Sequence, residues 1–349
     1  MKLKGYIGTY TKGDSEGIYA FTLDTENGML SKTSLAARLE NPTYVTVSKD
    51  NRNLFAVVKE DASGGAAAYS LDEQTGELSL INSKVTEGAS PCHIDVDRAK
   101  RNIVTANYHR GTVESYTIEN EEGSLNATGS VIQHEGTGPD KERQEKPHVH
   151  YSGFTPDERY IAVVDLGTDR IVTYRLSDGK LTEVQSLNVK PGSGPRHLVF
   201  HPNGKYAYAM TELSNEVIVL AYNREEGSFE ELQYISAIPN DFTENSQGSA
   251  IRISNDGRFV YAGNRGHDSI ALFAVNQDSG ELAFIEHTST EGNWPRDFEI
   301  DPTGKFVVAS NQESHNLVLF SRNEETGKLA LLQSDITVPY PVCVTFLNV

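Results

Sequence analysis

Apolar positions along this chain come in short runs, not with a helical period. IVTYRL at 171–176, IALFAV at 270–275 and LVLFSR at 317–322 are rich in β-branched and aromatic residues and stop at polar turn clusters. That is the pattern of short β-strands. The stretch from Pro195 to Gly227 shows one complete unit: the run LVF, a turn at HPNGK, the run YAYAM, a polar loop at ELSN, the run VIVLAY and a turn at REEG. Asn203-Gly204, with Asp256-Gly257 and Thr303-Gly304 in later units, marks tight turns, because glycine accepts the positive φ they demand.

The unit recurs. A Gly-Xaa-Leu or Gly-Xaa-Phe signature follows a polar turn at Gly28, Gly76, Gly123, Gly179, Gly227, Gly280 and Gly327, with steps of 48, 47, 56, 48, 53 and 47 residues. A second marker opens an apolar run at Pro42, Pro91, Pro147, Pro195, Gly248, Pro295 and Pro341, with steps of 49, 56, 48, 53, 47 and 46. Both markers stretch at the same two places, so they report one repeat. Units of ~40–50 residues with about four strands each are propeller blades. The expectation is an all-β fold: a seven-bladed β-propeller of four-stranded antiparallel blades, one domain over 1–349. GYIGTY at the start resembles a second strand, and YPVCVTFLNV at the end a first strand. The C-terminal strand should therefore pair with the N-terminal blade and close the ring, leaving few free edges.

Charge narrows the function classes. Thirty-one basic against 49 acidic residues give a net charge of −18, which argues against nucleic acid or anionic membrane as partner. No apolar stretch approaches a transmembrane span, and MKLKGYIGTY turns polar before a signal-peptide core could form. A cytoplasmic protein is expected. Cys92 and Cys343 are too few for a disulfide framework and read as buried core thiols. The oligomeric state is not legible.

Strand polarity locates the chemistry. The beginning of each innermost strand lies beside the end of the second strand, so both crowd one mouth of the central channel. Strand starts supply His93, His148, His150, Arg196, His197, Arg252, Arg296 and Asp297; second-strand ends supply Asn107, Asp165, Glu212, Asn264, Arg265 and Asn311. Arginines suit phosphate or carboxylate, and His and Glu are acid–base groups. Asn107, Asp165 and Asn311 fit turn capping equally well, and Arg252 reads as an inter-blade ion pair. His109, His201, His287 and His315 read as solvated surface. His134, Asp140 and the run KERQEK lie in an insertion over 133–147, read as a solvated loop with capping of the mouth as the alternative. No nucleophile elbow, phosphate loop, Rossmann fingerprint or zinc motif occurs, so no cofactor or metal is expected.

KPHVHYSGFTPDERYIAVVDLGTDRI, GSGPRHLVFHPNGKYAYAMTELSN, YAGNRG and NWPRDFEIDPTGKFVVASNQ resemble the lactonase family of seven-bladed propellers. That family includes propeller-type 6-phosphogluconolactonases and the fungal 3-carboxy-cis,cis-muconate lactonizing enzymes. The resemblance spans nearly the whole chain and implies catalytic positions at His150, Arg196, Glu212 and Arg265. His150 lies six residues before Pro156, as Arg196 lies six before Pro202, which favours His150 over His148. His148, His197, Asn264 and Arg296 are expected to contact substrate. The implied activity is hydrolysis of 6-phospho-D-glucono-1,5-lactone, an anionic sugar lactone, to 6-phosphogluconate in the pentose phosphate pathway, with water activated by His150 or Glu212. Muconate-type lactonization, a Ca²⁺-dependent lactonase using Glu212, Asp165, Asn107 and Asn264, and a non-catalytic scaffold are the alternatives.

Overall fold

In the computed structural model, residues 1–72 and 74–349 are described, and among them every regular element is a β-strand. Seven antiparallel sheets follow one another around a ring. Within each repeat the innermost strand, such as Pro195–Phe200, is followed outward by Tyr206–Thr211, Glu216–Asn223 and Ser228–Ser236. The ring closes as the half-units predict: Pro341–Phe346 pairs with Lys2–Thr9, with Gly5 opposite Phe346 and Ile7 opposite Val344. The first blade departs from four simple strands. Its outer position is shared by Met29–Leu30 and Ser34–Arg38, both paired with Gly17–Asp24.

The core lies between blades. Tyr208, Met210 and Val219 pack on Ile251, Val260 and Phe273 of the next blade, and Val308, Leu319 and Ile336 pack on Ile7, Phe21 and Phe346 across the closure. The repeat glycines have a role in this stacking. Tyr208 donates through its hydroxyl to the Gly280 carbonyl at 3.0 Å, Tyr261 to Gly327 at 2.7 Å and Tyr6 to Gly76 at 2.8 Å. Three blades are thus pinned to the turn that bears the next glycine, and those glycines hold positive φ.

Three surface assignments are corrected. His201 is buried, because its Nε2 faces the Gly257 carbonyl of the neighbouring blade at 3.1 Å. His287 and His315 are half-buried: Nε2 of His287 faces the Ala237 carbonyl, and Nδ1 of His315 accepts from the Tyr340 amide. His109 is exposed as expected. Cys343 is buried, but Cys92 is only half-buried, with Sγ 3.5–3.6 Å from the carbonyls of Ala106, Val149 and His150.

Candidate functional site

The innermost strands carry a repeated irregularity at their first residues. In the fifth blade Pro195 opposes Thr211 and His197 opposes Met210, leaving Arg196 as an extra residue. The fourth blade leaves His150 extra in the same way, between Val149 and Tyr151, and the seventh leaves Arg296, between Pro295 and Asp297. Such a bulge re-aims one side chain out of the strand's alternation. Here it directs His150, Arg196 and Arg296 into the channel mouth, and it aligns His150 with Arg196.

His150 and Arg296 line a cavity of about 540 Å³ together with Tyr10, Lys59, Cys92, Tyr108, His109, Arg143, Glu212, Arg265 and Trp294 among others, and Arg196 lines the narrow pocket that His150 and Arg296 share. Glu212 sits at the cavity's centre of charge. It follows directly on the second strand of its blade, where its amide donates to the Gly194 carbonyl at 2.7 Å; Gly194 adopts φ +59, a conformation natural to glycine. Arg196 Nε donates to one Glu212 oxygen at 3.1 Å, and Arg265 Nη2 to the same oxygen at 2.6 Å. Arg143 contacts the other oxygen. Arg196 and Arg265 are further fixed by the Ser249 and Gly248 carbonyls. Gly248 is required there, since a Cβ would stand 2.1 Å from the Thr211 carbonyl oxygen.

Burial alone would raise the Glu212 carboxyl, but Arg265 and Arg196 outweigh it and hold the group far below the usual carboxylate range. Burial, then the charge of Arg265, pushes the Arg196 guanidinium down to about 9. His150 is 5% exposed, and its Nδ1 has no partner among the described residues. Burial first and the Arg196 charge second hold its imidazole well below 6.5, so it stands neutral and able to accept a proton. Arg296 has no carboxylate partner among the described residues. Its Nη1 reaches Gln312 at 3.3 Å, its guanidinium lies 5.4 Å from the Tyr10 ring centroid, and its buried Nε is unpartnered.

Below the cavity the channel narrows around His197 and His93. His150 and His197 rings lie 5.2 Å apart, and His197 and His93 5.4 Å. His197 thus sits beneath the cavity, against His150. His148 is turned aside: it stacks on Tyr108 at 4.2 Å and faces Glu145 at 3.1 Å. Asn264 also points away, donating to the Ala237 carbonyl at 2.7 Å, because neighbouring residues of a strand face opposite sides and Arg265 takes the side of the cavity. Asn107 and Asn311 cap turns through the Ala89 and Thr290 carbonyls, and Asp165 accepts from the His148 and Gly167 amides and pairs with His134. Arg252 pairs across blades with Asp297 and Glu299. Glu212, Asp165, Asn107 and Asn264 therefore do not converge, and among the described residues no group of three or more His, Cys, Asp or Glu is placed to hold a metal ion.

Sequence reasoning missed several lining residues. Cys92 precedes a first strand, and burial pushes its thiol up to about 11. Trp294 lies 5.5 Å from the Arg265 guanidinium; its position just before Pro295 was an available signal. Tyr108 follows Asn107 at a second-strand end. Arg143 lies in the insertion, where no repeat gives a frame.

A family model described as lactonase, 7-bladed beta-propeller, matches residues 4–346. The chain is 59% identical to a 6-phosphogluconolactonase from Bacillus subtilis, over 99% of both chains. Among solved structures, it is similar to a protein from Lactobacillus plantarum (TM-score 0.95, 44% identity, 100% of both chains). It is also similar to the periplasmic gluconolactonase of Pseudomonas aeruginosa (TM-score 0.93, 33% identity, 99% of both chains).

Proposed function

The chain belongs to the seven-bladed β-propeller lactonase family, and from that premise we propose that it hydrolyses 6-phospho-D-glucono-1,5-lactone to 6-phosphogluconate at the His150–Glu212 mouth. The observation that carries this reading is a neutral, unpartnered imidazole facing a cavity with surplus positive charge. Arg143, Arg265 and Arg296 line it against the single lining carboxylate of Glu212, while Lys59, also in the lining, is paired with Glu40, inside a protein of net charge −18. A polyanionic sugar lactone supplies the missing negative charge.

The geometry supports a division of labour. Glu212, held by two buried guanidiniums, is too weak a base to activate water and serves to position Arg196 and Arg265. His150 is the base. Water adds to the lactone carbonyl carbon as a ring nitrogen of His150 takes its proton. The oxyanion that develops faces the uncommitted Arg296 guanidinium, a donor that needs no reorganisation. The bond from that carbon to the ring oxygen then breaks, and the imidazolium returns the proton to the departing oxygen. The carboxylic acid formed ionises to solvent. No covalent enzyme intermediate is required. This reading also places the protein in the cytoplasm, as an enzyme of the pentose phosphate pathway.

The test is hydrolysis of freshly generated 6-phosphogluconolactone by wild type and His150→Ala, with and without chelator. A fast wild-type rate, unaffected by chelator and lowered about 10²–10⁴-fold in the variant, is expected. A wild-type rate equal to spontaneous hydrolysis overturns the reading.

A further inference from the structure

We propose that the insertion over 133–147 is a built phosphate subsite, in which Arg143 binds the phosphomonoester of the substrate and selects phosphorylated over unphosphorylated lactones. This rests on the lactonase reading above and goes beyond it by assigning the substrate's second charged group.

The three guanidiniums around Glu212 are not equivalent. Arg196 and Arg265 side chains are 3% and 4% exposed and fixed by backbone carbonyls. Arg143 is 32% exposed, and Glu212 is its only carboxylate partner among the described residues. It lines the cavity, and a guanidinium has donors beyond those that Glu212 and the Tyr108 hydroxyl engage. The Tyr108 hydroxyl stands beside it. A planar fork with free donors, at the rim of a cation-lined cavity, matches the oxygens of a phosphate.

The segment that carries Arg143 is held in place. At its start His134 is buried, with Nδ1 2.8 Å from Asp165 and Nε2 2.9 Å from the Tyr174 hydroxyl. Near its end Gln144 is fully buried: its side chain donates to the Leu166 carbonyl at 2.8 Å, and its backbone carbonyl accepts from Gly138 at 2.9 Å. The Asp140 carboxylate accepts from the amides of Glu142 and Arg143 at 2.9 and 3.1 Å and closes the turn between. Compact loops with such internal packing commonly carry function.

Depth orders the substrate. The proton acceptor and the oxyanion donor, His150 and Arg296, both reach the narrow part of the channel that Arg143 does not line. With the ester carbonyl at that depth, the phosphate at the far end of the sugar chain comes to the rim. Arg143 can turn its open edge to the phosphate while Arg196 and Arg265 keep Glu212 paired.

The test compares kcat/KM on 6-phosphogluconolactone and on glucono-1,5-lactone for wild type, Arg143→Met and Gln144→Ala. Arg143→Met should lower the phosphorylated rate about 10–100-fold, the range of one or two charge-assisted hydrogen bonds, and change the unphosphorylated rate by less than about threefold. Gln144→Ala, which frees the segment without touching the arginine, should shift the same ratio in the same direction. An equal fall on both lactones would mean that Arg143 acts only through Glu212, and no change on either would mean that it binds nothing; both overturn the proposal. Calorimetric binding of 6-phosphogluconate against gluconate reads the subsite without turnover. Wild type inactive on both lactones but still preferring the phosphorylated acid would sink the hydrolase reading and leave the subsite standing.

Discussion

The channel of this propeller holds two buried ionic clusters made from the same residue types in inverted proportion. At the wide mouth one carboxylate, Glu212, meets three guanidiniums; at the other end one guanidinium, Arg252, meets Asp297 at 2.9 Å and Glu299 at 2.8 Å. Arg252 is fully compensated, aligned on the Phe298 ring, and ties neighbouring blades together. The Glu212 cluster is left with surplus positive charge beside a cavity and an unpaired imidazole. Two salt-bridge networks can thus differ wholly in meaning: the sign left over after pairing separates a strut from a binding site.

The sharpest way to break this contrast is to remove the single member of each cluster. Glu212→Gln leaves Arg196 and Arg265 buried without a counter-charge and should cost about 3–5 kcal/mol in urea unfolding, together with most activity. Arg252→Met should also destabilise, yet its lactonase kcat/KM should stay within about threefold of wild type, as for a site that shares no ion pair with the Glu212 cluster. Comparable activity losses in both would erase the distinction between strut and site.

A somewhat smaller effect sharpens the charge argument. Inorganic phosphate should stabilise the wild type by about 2.7 kcal/mol when present at a hundred times its dissociation constant, read as a rise in melting temperature. Arg143→Met should abolish the shift, and Arg252→Met should keep it. A shift that survives Arg143→Met but not Arg252→Met would place the anion site at the wrong end of the channel.

Much of this was written in the sequence, for identifiable reasons. The blades were legible because glycine at positive φ and proline at a strand start are backbone requirements, repeated once per unit. The mouth followed from strand polarity alone, which brings His150, Arg196, Glu212 and Arg265 to one end. Side-chain direction did not follow. Arg196 and His197 are consecutive and both enter the channel, which alternation forbids and the bulge at Arg196 allows; Asn264 obeys alternation and leaves the cavity to Arg265. Arg143 was illegible for a different reason. The insertion that carries it interrupts the repeat, and its place depends on the long-range contacts of His134 and Gln144.

Between the two clusters lie His150, His197 and His93, and their titration is the most delicate probe of the contrast. Burial, and then the nearby positive charge, holds all three below the ordinary 6.5, His93 at about 3. The groups facing them are Arg196 and Arg252 for His93 and His197, with Glu212 opposing only at His150. A histidine whose folded value is depressed binds fewer protons in the folded than in the unfolded state. Its contribution to stability is therefore complete above 6.5 and is lost as pH falls below it, at up to about 1.4 kcal/mol per pH unit for each group. Urea unfolding between pH 7.5 and 5.5 should show this decline, and His197→Leu should flatten its slope by one group's share. The catalytic counterpart is the acid limb of kcat/KM, measured on glucono-1,5-lactone so that no phosphate titrates. It should fall below the ordinary imidazole range, because His150 is already neutral there. A limb at the ordinary histidine value would mean that the surplus charge of the Glu212 cluster does not reach His150, and with it the electrostatic basis for choosing this mouth would fail.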